Sequence, residues 1–385
     1  MTNLRPAVIA CAGLTTVGVN VAMRGALLPY ILDDLHLSYT IGGTFGMLAA
    51  AAYLSTTMFS GYLADRYGTR RTLLIGLAVG GGSMLLFSGA SLVGLLCFLM
   101  FINGSGNAFV EISSNKIITD NYAQHRARFM NLLHFFFGAG ALIAPLIAGM
   151  LLAGGMSWRV TLALTALGGL AVWVLDMRLG IRHQANHAGP PHPRQFLNVF
   201  RDRRVQPVLL LIMLHTGAEM GIAAWLVNYL QAHHGLATIA STFALSMMFV
   251  GLTGGRLLAA VSARVVGHPA MPAVAGLLSV GSIGAGMWSG DLVIPAFLLC
   301  GLSFSIIFPL LATVSTELSS ESAGVVLGAY CFCGGIGASA HIWWMGLLND
   351  MWGVQAGFAS VLAIKVLFTL VALWLWRQRK KGITT

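Results

Sequence analysis

Apolar residues in this chain fall in long uninterrupted blocks, separated by short clusters of Arg, Asp, His, Gly and Pro. Each block approaches the roughly 20 residues that a helix needs to cross a hydrocarbon core. The first set lies at about 6–31, 40–63, 72–90, 92–119, 129–153 and 158–180. After a polar interval, a second set follows at about 206–231, 237–258, 269–289, 292–318, 324–346 and 353–376. The pattern predicts an all-α integral membrane protein of twelve transmembrane helices arranged as two six-helix bundles. Because the first block contains Arg24 and runs to Pro29, it reads as a retained helix and not as a cleaved signal.

Composition sharpens that picture. Of the 385 residues, 57% are hydrophobic and 9% charged, against about 25% charged in a soluble domain, so a bilayer is the expected solvent. The net charge of +10 is spread over many short loops and forms no single basic stripe, which excludes a nucleic-acid footprint. Alternate loops differ in sign: Arg66, Arg70, Arg71, Arg126, Arg128 and Arg178 share one side with the termini, whereas Arg159 stands opposite with Asp33, Asp34, Asp291 and Asp350. That asymmetry predicts a multi-pass protein of a bacterial inner (plasma) membrane with both termini cytoplasmic. The five cysteines sit in apolar blocks without CxxC spacing, so neither a disulfide framework nor a metal site is expected. No Walker motif is present, and no cofactor is expected.

The polar interval, 182–205, carries His183, His187, Pro190, Pro191, His192 and a basic run ending at Arg204. It reads as a solvated cytoplasmic linker between an N-terminal bundle, 1–181, and a C-terminal bundle, 206–385. The two bundles echo each other: FLMFINGSGNAFVE from Phe98 aligns with FLLCGLSFSIIFPL from Phe297, and HFFFGAG from His134 with YCFCGGI from Tyr330. Internal duplication of this kind predicts a solute site between the halves, near the middle of the membrane.

The most specific motif is the loop between the second and third blocks, Gly61-Tyr-Leu-Ala-Asp65-Arg66-Tyr-Gly68-Thr-Arg70-Arg71. Gly61 is expected to let two helices approach, Asp65 to pair with a basic or helix-terminal group, and Gly68 to permit a tight turn. Together these residues would latch one conformation of a bundle. The loop resembles the G-x-x-x-D-R-x-G-R-R signature of the major facilitator superfamily, matching at Gly61, Asp65, Arg66, Gly68, Arg70 and Arg71. The counterpart in the second half, GRLLAAVSARVVG from Gly255, keeps Arg256 and Arg264 but lacks the acid.

Further segments, GSGNAFVEISSNKII, NLLHFFFGAGALIAP, HTGAEMGIAAWLVNYL and GLSFSIIFPLLATVSTE, look like those of the fucose–galactose–glucose proton symporter family. That resemblance implies that an acid in the fourth span, here Glu111, carries the coupled proton. The family's acid in the first span is replaced by Gly25, with Arg24 beside it.

Charges within spans cost several kcal/mol unless paired or facing water. Arg24 requires an anion, supplied by Glu111, by Glu219 or by an acidic substrate. Asn115 lies one turn from Glu111, and His215 one turn from Glu219, with Trp225 and Asn228 further along the same span. An aromatic platform beside amides and carboxylates suits a sugar; Asn131, His134 and Tyr330 are added as substrate-facing candidates. Lys116 is expected to snorkel to the interface, and Lys365 to be a peripheral packing residue. The expected function is proton-coupled uptake of a sugar, sugar acid or other organic anion by a monomeric carrier, with proton-driven export of drugs or metabolites as the competing reading. An embedded enzyme is not expected, because no HExxH, GxSxG or paired-carboxylate motif is present; a receptor that binds without transporting is the remaining alternative.

Overall fold

The computed structural model describes residues 4–179, 193–261, 270–319, 321 and 323–380, which form two compact units, Met1–Pro190 and Pro191–Thr385. The first contains α1 (Arg5–Asp34), α2 (Tyr39–Tyr67), α3 (Thr69–Gly89), α4 (Val93–Asn121), α5 (Arg126–Ala153) and α6 (Trp158–Leu179). In the second, a short α7 (Pro193–Arg201) precedes α8 (Gln206–His234), α9 (Thr238–Val261) and α10 (Met271–Trp288). There follow α11 (Val293–Ser305), α12 (Ile307–Leu318), α13 (Ala323–Trp352) and α14 (Val354–Lys380). His183, His187, Pro190, Pro191, His192 and Arg264 lie outside the described residues.

Eleven of the described helical stretches are long and apolar enough to cross a membrane. The helix α2 is as long as several of them at 29 residues, but Gly, Ser and Thr dilute its hydropathy. Large apolar side chains point outward from both units; Leu92 is 72% exposed and Leu370 58%, an arrangement that lipid accepts and water does not.

Two departures from a simple reading of the blocks have local causes. The block at 292–318 is broken between Ser305 and Ile307. Pro309 has no N–H to give the Ser305 carbonyl, so the α-helical ladder lapses one turn before it. Within the stretch read as a linker, Pro193–Arg201 is helical. Phe196 and Phe200 lie one turn apart and both meet Phe332 edge-on, while the Asn198 amide donates to Glu321 Oε1 at 2.9 Å.

Each unit uses the same pairing of helices. In the first, α1 packs on α5, α2 on α4, and α3 on α4 and α6; in the second, α8 packs on α13, α9 on α11, and α10 on α14. The seams are backbone to backbone. A Cβ placed on Gly104 would strike the Ala49 carbonyl, and one on Gly140 the Thr15 carbonyl. In the second unit, Gly301 faces the Met248 carbonyl and Gly337 that of Met213 in the same way. Small residues therefore set the helix separations, as in other membrane bundles.

These seams also correct two sequence expectations. Gly104 pairs with Gly301 and Gly140 with Gly337 at one common separation, so the alignment of Phe98 with Phe297 is out of step by two residues and that of His134 with Tyr330 by one. Gly61 is not a close-approach glycine, because a Cβ there would meet nothing within 4 Å.

Candidate functional site

The signature loop is a junction at which ion pairs join four helices, α2 to α4 and α3 to α6. Gly68 adopts φ +95° between α2 and α3, a conformation that strains any residue with a side chain. This sharp turn sets Asp65 and Arg70 on different helices. Asp65 Oδ1 lies 2.9 Å from Lys116 Nζ on α4, and Lys116 also reaches Asp120 Oδ2 at 3.3 Å. Lys116 thus holds α2 rather than snorkelling alone. On the other side of the turn, Arg70 Nε lies 3.3 Å from the buried Asp176 carboxylate on α6. Its Nη2 donates to the Asp176 and Met177 carbonyls at 2.6 and 3.3 Å, so one guanidinium closes the α6 C-terminus, where carbonyls lack helical partners. Arg66 donates to the Tyr62 hydroxyl at 2.7 Å, and Arg71 is exposed.

At the opposite end of this unit, Arg159 is equally committed. Arg159 pairs with Asp34 at 3.2 Å and donates to the Ser88 and Ala90 carbonyls.

Between these two ends a polar stripe runs through the unit. Asn103, Asn107, Glu111 and Asn115 recur every fourth residue along α4 and therefore lie near one face. Asn20 donates to Asn107 Oδ1 at 3.2 Å, Asn107 to Asn103 Oδ1 at 3.2 Å, and Asn103 to the Gly80 carbonyl at 3.1 Å. This chain of amides joins α1, α4 and α3. One turn beyond Asn20, half-buried Arg24 donates through Nε to the Asn20 carbonyl at 3.2 Å. Among the described residues, no carboxylate lies within ion-pair distance of its guanidinium. Asn115 is half-buried, and its Oδ1 has no hydrogen-bond partner among the described residues. Asn131 is exposed on α5, with His134 half-buried one turn on.

In the second unit the ionisable groups gather around His215. Lys365 Nζ on α14 lies 3.1 Å from His215 Nδ1, and His215 Nε2 lies 3.3 Å from Glu219 Oε2. His215 and Lys365 are fully buried, whereas the Glu219 side chain is 10% exposed. Phe304 and Phe368 present their rings to the ammonium at 4.1 and 4.5 Å, a cation–π box that offsets part of its desolvation. Lys365 is therefore no peripheral packing residue. Buried Tyr330 donates to the Phe308 carbonyl at 2.6 Å, near the carbonyls freed by Pro309. Trp225, also buried, donates through Nε1 to the Ile342 carbonyl at 3.0 Å, tying α8 to α13. Asn228 is buried with Oδ1 unpartnered among the described residues.

Sequence reading missed Asn20, Asn103, Asn107, Lys116 and Lys365 as members of these networks. The four-residue recurrence along α4 was a signal for the two α4 amides; nothing in sequence spacing joins Lys365 to His215.

Two duplicated helical units of this design, apolar outside and carrying ion pairs and amide networks within, define a multi-pass membrane transporter. Residues 10–340 match the model of the Major Facilitator Superfamily, and the chain belongs to that family. It is 27% identical over 203 residues to the tetracycline resistance protein, class G, of Vibrio anguillarum, covering 52% of this chain and 48% of that protein. It is 28% identical over 165 residues to the hexuronate transporter of Bacillus subtilis, covering 41% and 38%. The chain thus spans about half the length, or less, of these relatives. Among solved structures, a bacterial homologue of the human lysosomal transporter Spinster superposes with a TM-score of 0.82 at 15% identity, covering 98% of this chain and 97% of that one. The fold is that of a transporter, not of an enzyme.

Proposed function

We propose that this chain is a secondary active carrier that takes up a sugar derivative bearing a negative charge, most simply a hexuronate, together with a proton. The observation that carries the reading is Arg24: a guanidinium within a spanning helix, held by the Asn20 carbonyl but without a carboxylate partner among the described residues. A charge at such depth costs about 2.5–3.5 kcal/mol, and a guanidinium cannot shed its proton to escape that cost. A carboxylate on the substrate would neutralise it bidentately. The adjacent amides of Asn20, Asn107 and Asn103 supply the donors and acceptors that sugar hydroxyls need, and the hexuronate transporter among the relatives supports the same class. Asn115, Asn131 and His134 in the first unit and Glu219 and Asn228 in the second are the further substrate-facing candidates, whereas His215, Trp225 and Tyr330, buried against Lys365, the Ile342 carbonyl and the Phe308 carbonyl, would act by positioning their helices. Glu111 is the proton carrier suggested by its likeness to the fucose–galactose–glucose symporters. Both termini are placed in the cytoplasm of a bacterial inner membrane on the basis of the loop charges. The bundles 1–181 and 206–385, joined by 182–205, would alternate in access as a monomer.

Radiolabelled D-glucuronate and D-glucose, offered to proteoliposomes under an inward proton gradient, test this reading. Glucuronate should accumulate and glucose should not; Arg24→Gln should abolish glucuronate accumulation, and Glu111→Gln should leave exchange without accumulation. Equal uptake of both sugars, unaltered in Arg24→Gln, would reject the anionic substrate. The similarity to a tetracycline resistance protein favours export as the second reading, for which tetracycline efflux driven by the same gradient is the diagnostic.

A further inference from the structure

The second unit contains three ionisable side chains in line with one another. Lys365 Nζ meets His215 Nδ1 at 3.1 Å, and His215 Nε2 meets Glu219 Oε2 at 3.3 Å. An ammonium has donors only, so with Lys365 protonated Nδ1 accepts, and a neutral ring then carries its proton on Nε2, the nitrogen nearer the carboxylate. The imidazole therefore stands between an acid and a base, with Nδ1 hydrogen-bonded to Lys365 and Nε2 within ion-pair distance of Glu219 but without a hydrogen bond among the described residues. Lys365 is sealed from water by Phe304 and Phe368, while Glu219 is the one member whose side chain retains some exposure. We infer that Lys365, His215 and Glu219 constitute a proton relay, with Glu219 as the exchangeable end and Lys365 as the buried store. The inference deepens the proton-coupled reading above and rests on it, but it locates a second proton-binding centre in the C-terminal half.

The step balances without an external reactant. The Nζ–H bond of Lys365 breaks as an Nδ1–H bond forms on His215; once the Glu219 carboxylate turns into line with the ring, the Nε2–H bond breaks as an Oε2–H bond forms on Glu219. An ammonium and a carboxylate become an amine and a carboxylic acid, the imidazole changes tautomer, and the net charge of the cluster is unchanged. Two buried ions are thereby discharged, and each carries a desolvation penalty of several kcal/mol in a dry interior. Desolvation favours the discharged form and the attraction of Glu219 to the neighbouring cations favours the charged one, so the surrounding charges decide between them. Those surroundings are defined: α9 brings Arg256 within Coulombic reach of His215 and Glu219, α11 brings the Cys300 thiol near Lys365, and α13 brings Tyr330 near Glu219. On α14 itself, Thr369 bonds back to the Lys365 carbonyl at 2.7 Å and leaves the ammonium free to act. A proton presented at Glu219 can then leave to water and be restored from water, while His215 and Lys365 reset the ring behind it.

The full-length protein in lipid nanodiscs, labelled with 15N at the histidine rings, provides a readout independent of any solute, and the His215→Gln variant assigns the signal. The expected spectrum shows neutral His215 exchanging between its two tautomers, with Glu219→Gln and Lys365→Met each freezing the ring in one. A doubly protonated His215, or the same tautomer populations in all three proteins, would overturn the relay. Uptake of D-glucuronate into proteoliposomes gives the functional arm. Lys365→Arg retains the positive charge and a donor but cannot release a proton. If Lys365 merely braced His215, Lys365→Arg would restore accumulation lost in Lys365→Met; the relay requires that accumulation stay at the level found without a gradient while exchange persists. Full gradient-driven accumulation in Lys365→Arg or Glu219→Gln overturns the relay and leaves the transport reading intact. Wild-type protein that does not move D-glucuronate removes the substrate reading, and the tautomer spectra still decide the relay.

Discussion

Neutralising Asp65 should weaken the junction between α2 and α4 by an amount fixed by its pairing with Lys116. At the observed 2.9 Å, and with an effective dielectric of about 20, the gross Coulombic attraction is about 6 kcal/mol. Most of this is offset by desolvation and by the entropy of fixing two side chains. The pair is 20% and 16% exposed, which places it between surface pairs, worth about 0.2–1 kcal/mol, and buried ones, whose disruption costs about 3–5. We expect a coupling of about 1–2 kcal/mol, or roughly 5- to 30-fold in a rate. Lys116 also touches Asp120, so a single Lys116→Met substitution overstates the bond and a double-mutant cycle with Asp65→Asn is needed. The buried thiols of Cys11 and Cys300 report unfolding directly: a thiol-reactive dye becomes fluorescent as they are exposed in detergent at fixed temperature. Effects of Asp65→Asn and Lys116→Met that add to within about 0.3 kcal/mol would refute the latch.

Two further outcomes follow from particular contacts. Gly337→Ala forces a methyl into the Met213 carbonyl, so α8 and α13 must separate; the variant should lose well over 1 kcal/mol and melt at lower temperature in the same thiol assay, whereas Gly61→Ala, with open space around it, should not. Between α7 and α8, Asp202 accepts from the Arg204 side chain and backbone N–H, and the Arg204 side-chain hydrogen bond holds its carboxyl below the usual carboxylate range. A depressed folded-state value means that this contribution is present above the ordinary carboxylate range, near pH 4, and disappears as pH falls through the lowered value. Protection of the Arg204 amide from hydrogen exchange, taken relative to the intrinsic rate at each pH, should therefore fall on acidification, and Asp202→Asn should remove that dependence.

The fold was legible because burial in lipid writes itself into composition one helix at a time: a block of apolar residues needs no knowledge of its neighbours. The signature loop was legible for a related reason, since Asp65, Gly68 and Arg70 lie close together in the chain, although the partners of the two charged residues do not. What escaped depends on partners distant in sequence. Lys116 and Asp65 meet only because α2 and α4 pack, and Lys365 meets His215 only because α14 lies against α8; both lysines looked dispensable as isolated charges. Gly61 failed in the opposite direction, since a glycine near a helix end says nothing about what stands opposite it. The break before Ile307 was readable from Pro309, as was the paired Phe196 and Phe200 face of α7, but both were masked by the apolar or polar character of their surroundings.

Where a carbonyl lies against the Cα of a glycine, as at Gly104, Gly140, Gly301 and Gly337, no side chain can be admitted and none can be trimmed. Such joints offer mutation nothing to tune. New solute preferences in descendants of this chain should therefore accumulate on helix faces away from the four joints, which natural variation would leave almost untouched even as the cargo changed.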